Sequence, residues 1–170
     1  MANRMDQAIA KTKGVAKAVK ARVDGLTGVF ATLVRQHGEA AALLDAVKRD
    51  RDKRGELWPK LRVALLTHER AEMRVIYPEL RMRDELRALA NRHDAEADAL
   101  ERMIHDLEEV EMDGDTWGNL FERLADTVAH HAKEEENEIF PIAQRVIGKD
   151  RAKELDSKFQ NAQRSLEHSA

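Results

Sequence analysis

The chain has 170 residues, 36% of them charged and 4% aromatic, with eight Gly, three Pro, no Cys and a net charge of −3. That length suits one domain with a core of its own, and the small charge argues against nucleic acid as a partner. The absence of Cys excludes disulfides, thiolate ligands and a Cys nucleophile, and fits a reducing, cytoplasmic setting.

Residues 1–24 hold six Lys/Arg against two Asp, with Ile9, Ala16, Val19 and Val23 along one helical face. They read as a basic helical arm over the rest of the chain, or else as a dock for an acidic surface or a targeting sequence. No apolar signal core stands at the start and no apolar run approaches ~18 residues, so neither a secretion signal nor a transmembrane segment is expected. From about Leu26 to Val47 apolar residues recur at helical spacing: Phe30, Leu33, Ala41, Leu44 and Val47, with His37 among them. A charged linker at 49–55, ended by Gly55, leads to a second helix from about Glu56 to Tyr77. Its stripe is Leu61, Leu65, His68, Glu72 and Ile76, and Pro59 falls in its first turn.

Residues 78–83 are expected to turn. The third helix then spans about Asp84 to Val110 with Leu86, Leu89, His93, Ala97, Leu100, Ile104 and Leu107. Met112-Asp113-Gly114-Asp115 is a second turn, with Asp115 as the expected N-cap of a fourth helix, about Thr116 to Ile147. That helix carries Leu124, Val128, His131, Glu135, Ile139, Ile142 and Val146, so Pro141 should kink it rather than end it. A short helix follows over 150–168, with Leu155, Phe159 and Leu166 inward. The expected organisation is a basic arm at 1–24, an all-α up-down-up-down four-helix bundle at 25–148, and a C-terminal helix and tail at 149–170.

Each apolar stripe is interrupted near its middle by His, or by His and Glu. In an up-down-up-down bundle, residues equidistant from the turn between them lie at one height. The midpoints of His37/His68, His68/His93 and His93/His131 fall at 52–53, 80–81 and 112, each inside an expected turn. The four imidazoles therefore converge on one layer. Glu72 and Glu135 join them, each four residues after a His and on the same helix face. Two buried carboxylates without partners would cost on the order of several kcal/mol each. A pair of cations removes that cost, because carboxylates can bridge two metals while imidazoles fill terminal positions. Nitrogen and oxygen donors without sulfur suit iron, manganese or zinc. His105, His130 and His168 lie away from this layer.

His68-Glu69-Arg70-Ala71-Glu72, ending in Tyr77-Pro78, resembles the signature of the hemerythrin-like (HHE) cation-binding family, in its bacterial form. So does His131-Ala132-Lys133-Glu134-Glu135-Glu136, ending in Phe140-Pro141, and the two make an internal repeat. Over about residues 26–147 the resemblance implies a bundle holding two non-haem iron ions. His37, His68, His93 and His131 would be terminal ligands, with Glu72 and Glu135 as carboxylate bridges. The implied function is to bind or react with oxygen, peroxide or nitric oxide as a sensor, a scavenger or an oxidoreductase.

The oxygen-carrying members have a second His on helix three where this chain has Ala97, and their fourth-helix carboxylate is an Asp at another spacing. An open metal position beside His93 is therefore expected. Glu69, Glu96 or Tyr77 could fill it, though Glu69 and Glu96 read better as surface or supporting residues. The rival readings are a ferritin-like iron-oxidising or storage protein and a metal-free helical interaction protein. The ferritin-like class uses Glu-x-x-His pairs, and no His here has Glu three residues before it. A zinc-protease reading fails because Glu72 stands where the second His of His-Glu-x-x-His belongs.

Overall fold

The computed structural model describes Lys13 and residues 25–167. The expected N-terminal arm, apart from Lys13, and His168 with the end of the tail lie outside the described residues. The described chain is helical, in the order α1 (Val29–Arg49), a 3-10 turn (Arg51–Lys53), α2 (Arg54–Ala71), α3 (Tyr77–Arg81), α4 (Asp84–Glu108), α5 (Asp115–Glu134), α6 (Phe140–Ile147) and α7 (Lys149–Glu167). None of its helices is long and apolar enough to cross a membrane.

Two of the breaks are not ends. A five-residue π turn, Glu72–Ile76, joins α2 to α3, and a second, Glu135–Ile139, joins α5 to α6. The chain thus runs as four long rods, at 29–49, 54–81, 84–108 and 115–147. Pro78 and Pro141 explain the π turns. Each lacks an N–H, and its ring would collide with the carbonyl four residues earlier in a regular helix. Widening the turn just before the Pro removes that conflict without ending the helix. The expected turn at 78–83 therefore shrinks to Met82 and Arg83, and the expected kink at Pro141 takes the form of a π turn. Pro59, expected in a first turn, is the sixth residue of α2 because that helix starts two residues early. Gly114, not Asp115, stands at the N-cap of α5, leaving Asp115 in the first turn where its charge suits the helix dipole.

Apolar residues gather into two clusters. One holds Phe30, Leu33, Ile76, Leu80, Leu86 and Phe140. The other holds Val47, Leu61, Leu107, Trp117, Phe121 and Leu124. Each rod contributes to both, so the four rods run up, down, up and down between two apolar halves. The stretch between the halves is where the His and Glu interruptions fall.

The C-terminal helix α7 has the expected length and starts one residue earlier, at Lys149. It packs on α1 and α2 and sends Ala152, Leu155 and Phe159 into the first cluster. Gly28 makes the close approach possible. Its φ of +58° suits Gly, and a Cβ there would stand 2.4 Å from the Ala152 backbone. Buried Glu79 on α3 ties down the other side, accepting hydrogen bonds from Arg151 (2.7 Å) and Arg83 (3.2 Å).

Candidate metal centre

His37, His68, His93 and His131 are all buried at the level that separates the two apolar clusters, and Glu72 and Glu135 are fully buried beside them. Each of these carboxylates is the first residue of a π turn. The N–H of the following aromatic, Tyr77 or Phe140, reaches back five residues to the Glu72 or Glu135 carbonyl. The repeat His-x-x-x-Glu-x-x-x-x-aromatic-Pro is therefore a structural unit. An α turn stacks the Glu beneath its His, and the Pro forces the helix to open directly after that Glu.

Two overlapping groups result. Donor atoms of His37, His68, Glu72 and Glu135 all lie within 4.8 Å of one another, and so do those of Glu69, Glu72, His93 and His131. Glu72 belongs to both. Glu135 also spans them, at 3.2 Å from His37 Nε2 and 3.4 Å from His93 Nε2. His37 Nε2 and His68 Nε2 face each other at 3.2 Å.

Seven of the ten buried side-chain atoms without a hydrogen-bond partner among the described residues lie in this layer: Glu69 Oε2, both Glu72 oxygens, both His93 nitrogens, His131 Nε2 and Glu135 Oε2. Buried polar groups are as a rule satisfied, so such a concentration marks a place built for something else. Three carboxylates among imidazoles, with no sulfur, suit a pair of borderline cations.

The electrostatics carry the same demand. Burial disfavours a charged His131, yet Glu135 and Glu69 outweigh it and push its pKa up to about 12. Burial likewise opposes charge on His37 and His93, and Glu135 with its neighbours raises each to about 9. Burial works against an ionised Glu135 too, but His131 and His37 hold it well below the usual carboxylate range. Glu72 goes the other way, raised by burial and by the charge of Glu135. Protons on the imidazoles thus balance the carboxylates when no cation does.

The outward nitrogens are held by a surrounding set. His37 Nδ1 is 3.0 Å from Glu136, His131 Nδ1 3.2 Å from Glu96, and His68 Nδ1 2.8 Å from Gln36 Oε1. Tyr77 donates to Glu135 at 2.5 Å and stacks on the His93 ring. Such contacts fix ring orientation and leave the inward nitrogen free for a metal.

The six residues singled out by spacing are brought into one layer. His105 and His130 stand apart, 69% and 80% exposed. Glu69 departs from expectation. Read as a flanking residue, it is buried in the layer, with its carboxylate 3.4 Å from His131 Nε2 and 3.8 Å from His93 Nε2. It lines a surface cleft together with Ala97, so a carboxylate stands near the space expected to be open. Its only local signal is its place directly after His68. Gln36 and Glu136 adjoin layer residues but lie off the apolar seams, and spacing did not reveal them. A cavity of about 220 Å³ reaches the layer from the α1/α2 side, walled by Leu43, Leu65 and Val128 and floored by His37, His68 and His131.

Residues 28–143 match the family described as hemerythrin HHE cation binding domain. Comparison with curated proteins and with solved structures gave no match.

Proposed function

The chain belongs to the hemerythrin HHE cation-binding family, and from that premise we propose that it is a non-haem di-iron protein that binds or reacts with oxygen, peroxide or nitric oxide. The observation that carries this reading is the pair of overlapping donor groups that share Glu72. His37, His68, Glu72 and Glu135 would hold one ion; Glu69, Glu72, His93 and His131 would hold the other, with Glu72 and Glu135 as the bridges. Iron would supply the redox chemistry, and manganese or zinc are the alternatives that the same donors accept.

The chain's own residues divide the work. Glu136, Gln36 and Glu96 orient three of the imidazoles. Tyr77 holds Glu135 and carries a proton at the edge of the layer; burial and the Glu135 charge keep its hydroxyl protonated well past its ordinary range. The cavity is lined by residues of both groups, His37 and His68 of the first and Glu69 and His131 of the second, whereas the cleft beside Ala97 already holds the Glu69 carboxylate. We therefore place the exchangeable position at this cavity rather than beside Ala97. The cavity has room to spare for a diatomic molecule or a peroxide, since a water occupies about 30 Å³ of liquid volume. A cysteine-free chain fits a reducing compartment, and we assign it to the cytoplasm.

Metal analysis with a visible spectrum of the aerobically purified protein tests the reading. Two iron ions per chain and near-ultraviolet absorption are expected; one ion or none in a fully loaded sample would overturn it. Stopped-flow mixing of the reduced protein with peroxide, nitric oxide and oxygen then separates the activities. Reaction with peroxide or nitric oxide is expected, without a long-lived reversible oxygen complex.

A further inference from the structure

The helix α7 lies wholly beyond the segment that matches the family, yet it reaches the metal layer. Gln163 on α7 and Gln36 on α1 form a reciprocal carboxamide pair. Gln36 Nε2 donates to Gln163 Oε1 at 2.8 Å, and Gln163 Nε2 donates to Gln36 Oε1 at 3.0 Å. The same Gln36 oxygen is 2.8 Å from His68 Nδ1. Four residues before Gln163, Phe159 sets its ring edge-on to the His68 ring, with centroids 6.1 Å apart.

The chemistry of that chain of contacts is directional. An amide oxygen only accepts, so His68 carries its proton on Nδ1 and presents the Nε2 lone pair to the layer. A rotated Gln36 carboxamide would turn its NH₂ toward Nδ1, select the other tautomer and place a proton on Nε2, where no metal could then bind. Gln163 opposes that rotation, because Gln36 cannot turn alone without losing both hydrogen bonds of the pair. The other outward contacts of the layer, on His37 and His131, are carboxylates of the bundle rods, which need no such keeper because either oxygen accepts.

We propose that Gln163 is a positioning residue for His68, acting through Gln36, so that the C-terminal helix α7 forms a working part of the metal centre. This rests on His68 being a metal ligand, as proposed above. Gln163→Leu removes both hydrogen bonds, and Gln163→Glu, with an acceptor oxygen at both positions, receives Gln36 Nε2 in either orientation and so removes the preference while keeping the side chain's size.

The test uses the full chain loaded with zinc, which is redox-silent. Release of zinc to a chelator is followed over time, and imidazole nitrogen NMR reports the His68 tautomer. Wild type should bind two ions with His68 protonated at Nδ1. In Gln163→Leu one of the two ions should leave about tenfold faster, with mixed tautomers at His68, and Gln163→Glu should show the same mixing. Ala162→Gly weakens the same helix without touching the carboxamide pair and should leave release unchanged. Equal acceleration in Ala162→Gly and Gln163→Leu would reduce Gln163 to helix packing and overturn the proposal. So would unchanged release and tautomer in Gln163→Leu. Fewer than two zinc ions in wild type would instead overturn the di-metal reading.

Discussion

At the scale of single residues, burial and an unmet partner separate functional side chains from ordinary ones. His130 and His131 are neighbours in sequence; one is 80% exposed and the other is buried with an unpartnered Nε2. His68→Ala or Glu135→Ala should strip metal, while His105→Ala and His130→Ala should leave two ions per chain, as elemental analysis of each purified variant would show. Full metal content in the first two variants would count against the layer. Glu69 allows a finer test. Because it faces His93 and His131 and not the His37/His68 pair, Glu69→Ala should weaken one ion by at least about tenfold and spare the other. Zinc titration against a competing chelator should show one tight and one weak site in place of two tight ones. Two weakened sites would mean that Glu69 serves the layer as a whole.

At the scale of elements, the joints around α7 carry measurable stability. Gly28→Ala would force a side chain at φ +58° into the Ala152 backbone. It should cost at least about 1 kcal/mol in chemical denaturation, since such a substitution fits neither the backbone nor the space. Glu79 adds a pH dependence. Its bond to Arg151 outweighs its burial and holds its carboxyl below the ordinary value. A depressed carboxylate contributes stability that is present above the unfolded-state pKa and is lost as pH falls through the folded one. Glu79→Gln should therefore cost about 1 kcal/mol near neutrality and flatten the acid side of the stability profile below about pH 4.5. An unchanged profile would show the pair to be energetically silent.

The rods themselves were legible in the sequence, because apolar stripes such as Leu86, Ile104 and Leu107 repeat at helical spacing and Gly and Asp punctuate them. The convergence of His37, His68, His93 and His131 was legible too, since equal distance from a turn means equal height. What escaped depends on packing between helices. Glu69 is turned by one residue from His68, and only the placement of α4 and α5 makes that direction inward. Gln163 is 127 residues from Gln36, and no local pattern links them. The π turns had a local cause, in Pro78 and Pro141, but a Pro alone does not show whether a helix bends, ends or widens.

At the scale of the whole molecule, the polar layer divides the apolar interior into two, so each half is tied to the other partly through whatever neutralises the carboxylates. Protons and metal ions compete for that role, and they respond oppositely to pH. In the metal-free protein His37 and His93 are raised to about 9 and His131 to about 12. Histidines with raised folded-state values contribute stability that is fully present below about pH 6.5, the unfolded value. That contribution is lost as pH rises through the folded values. Glu72, raised by burial and by Glu135, acts with the same sign as pH climbs. The metal-free protein should therefore melt at progressively lower temperature from about pH 6.5 to 9. Metal binding needs neutral imidazoles, so it releases protons and strengthens over the same interval. Ligand at a hundredfold excess over Kd adds about 2.7 kcal/mol, or about 5–10 °C for a chain of this size. Melting the zinc-loaded and metal-free proteins at pH 6.5, 7.5 and 9 should show the gap between them widening with pH. A constant gap, or a metal-free protein that gains stability toward pH 9, would show that the layer's charge is balanced by something other than exchange between protons and metal.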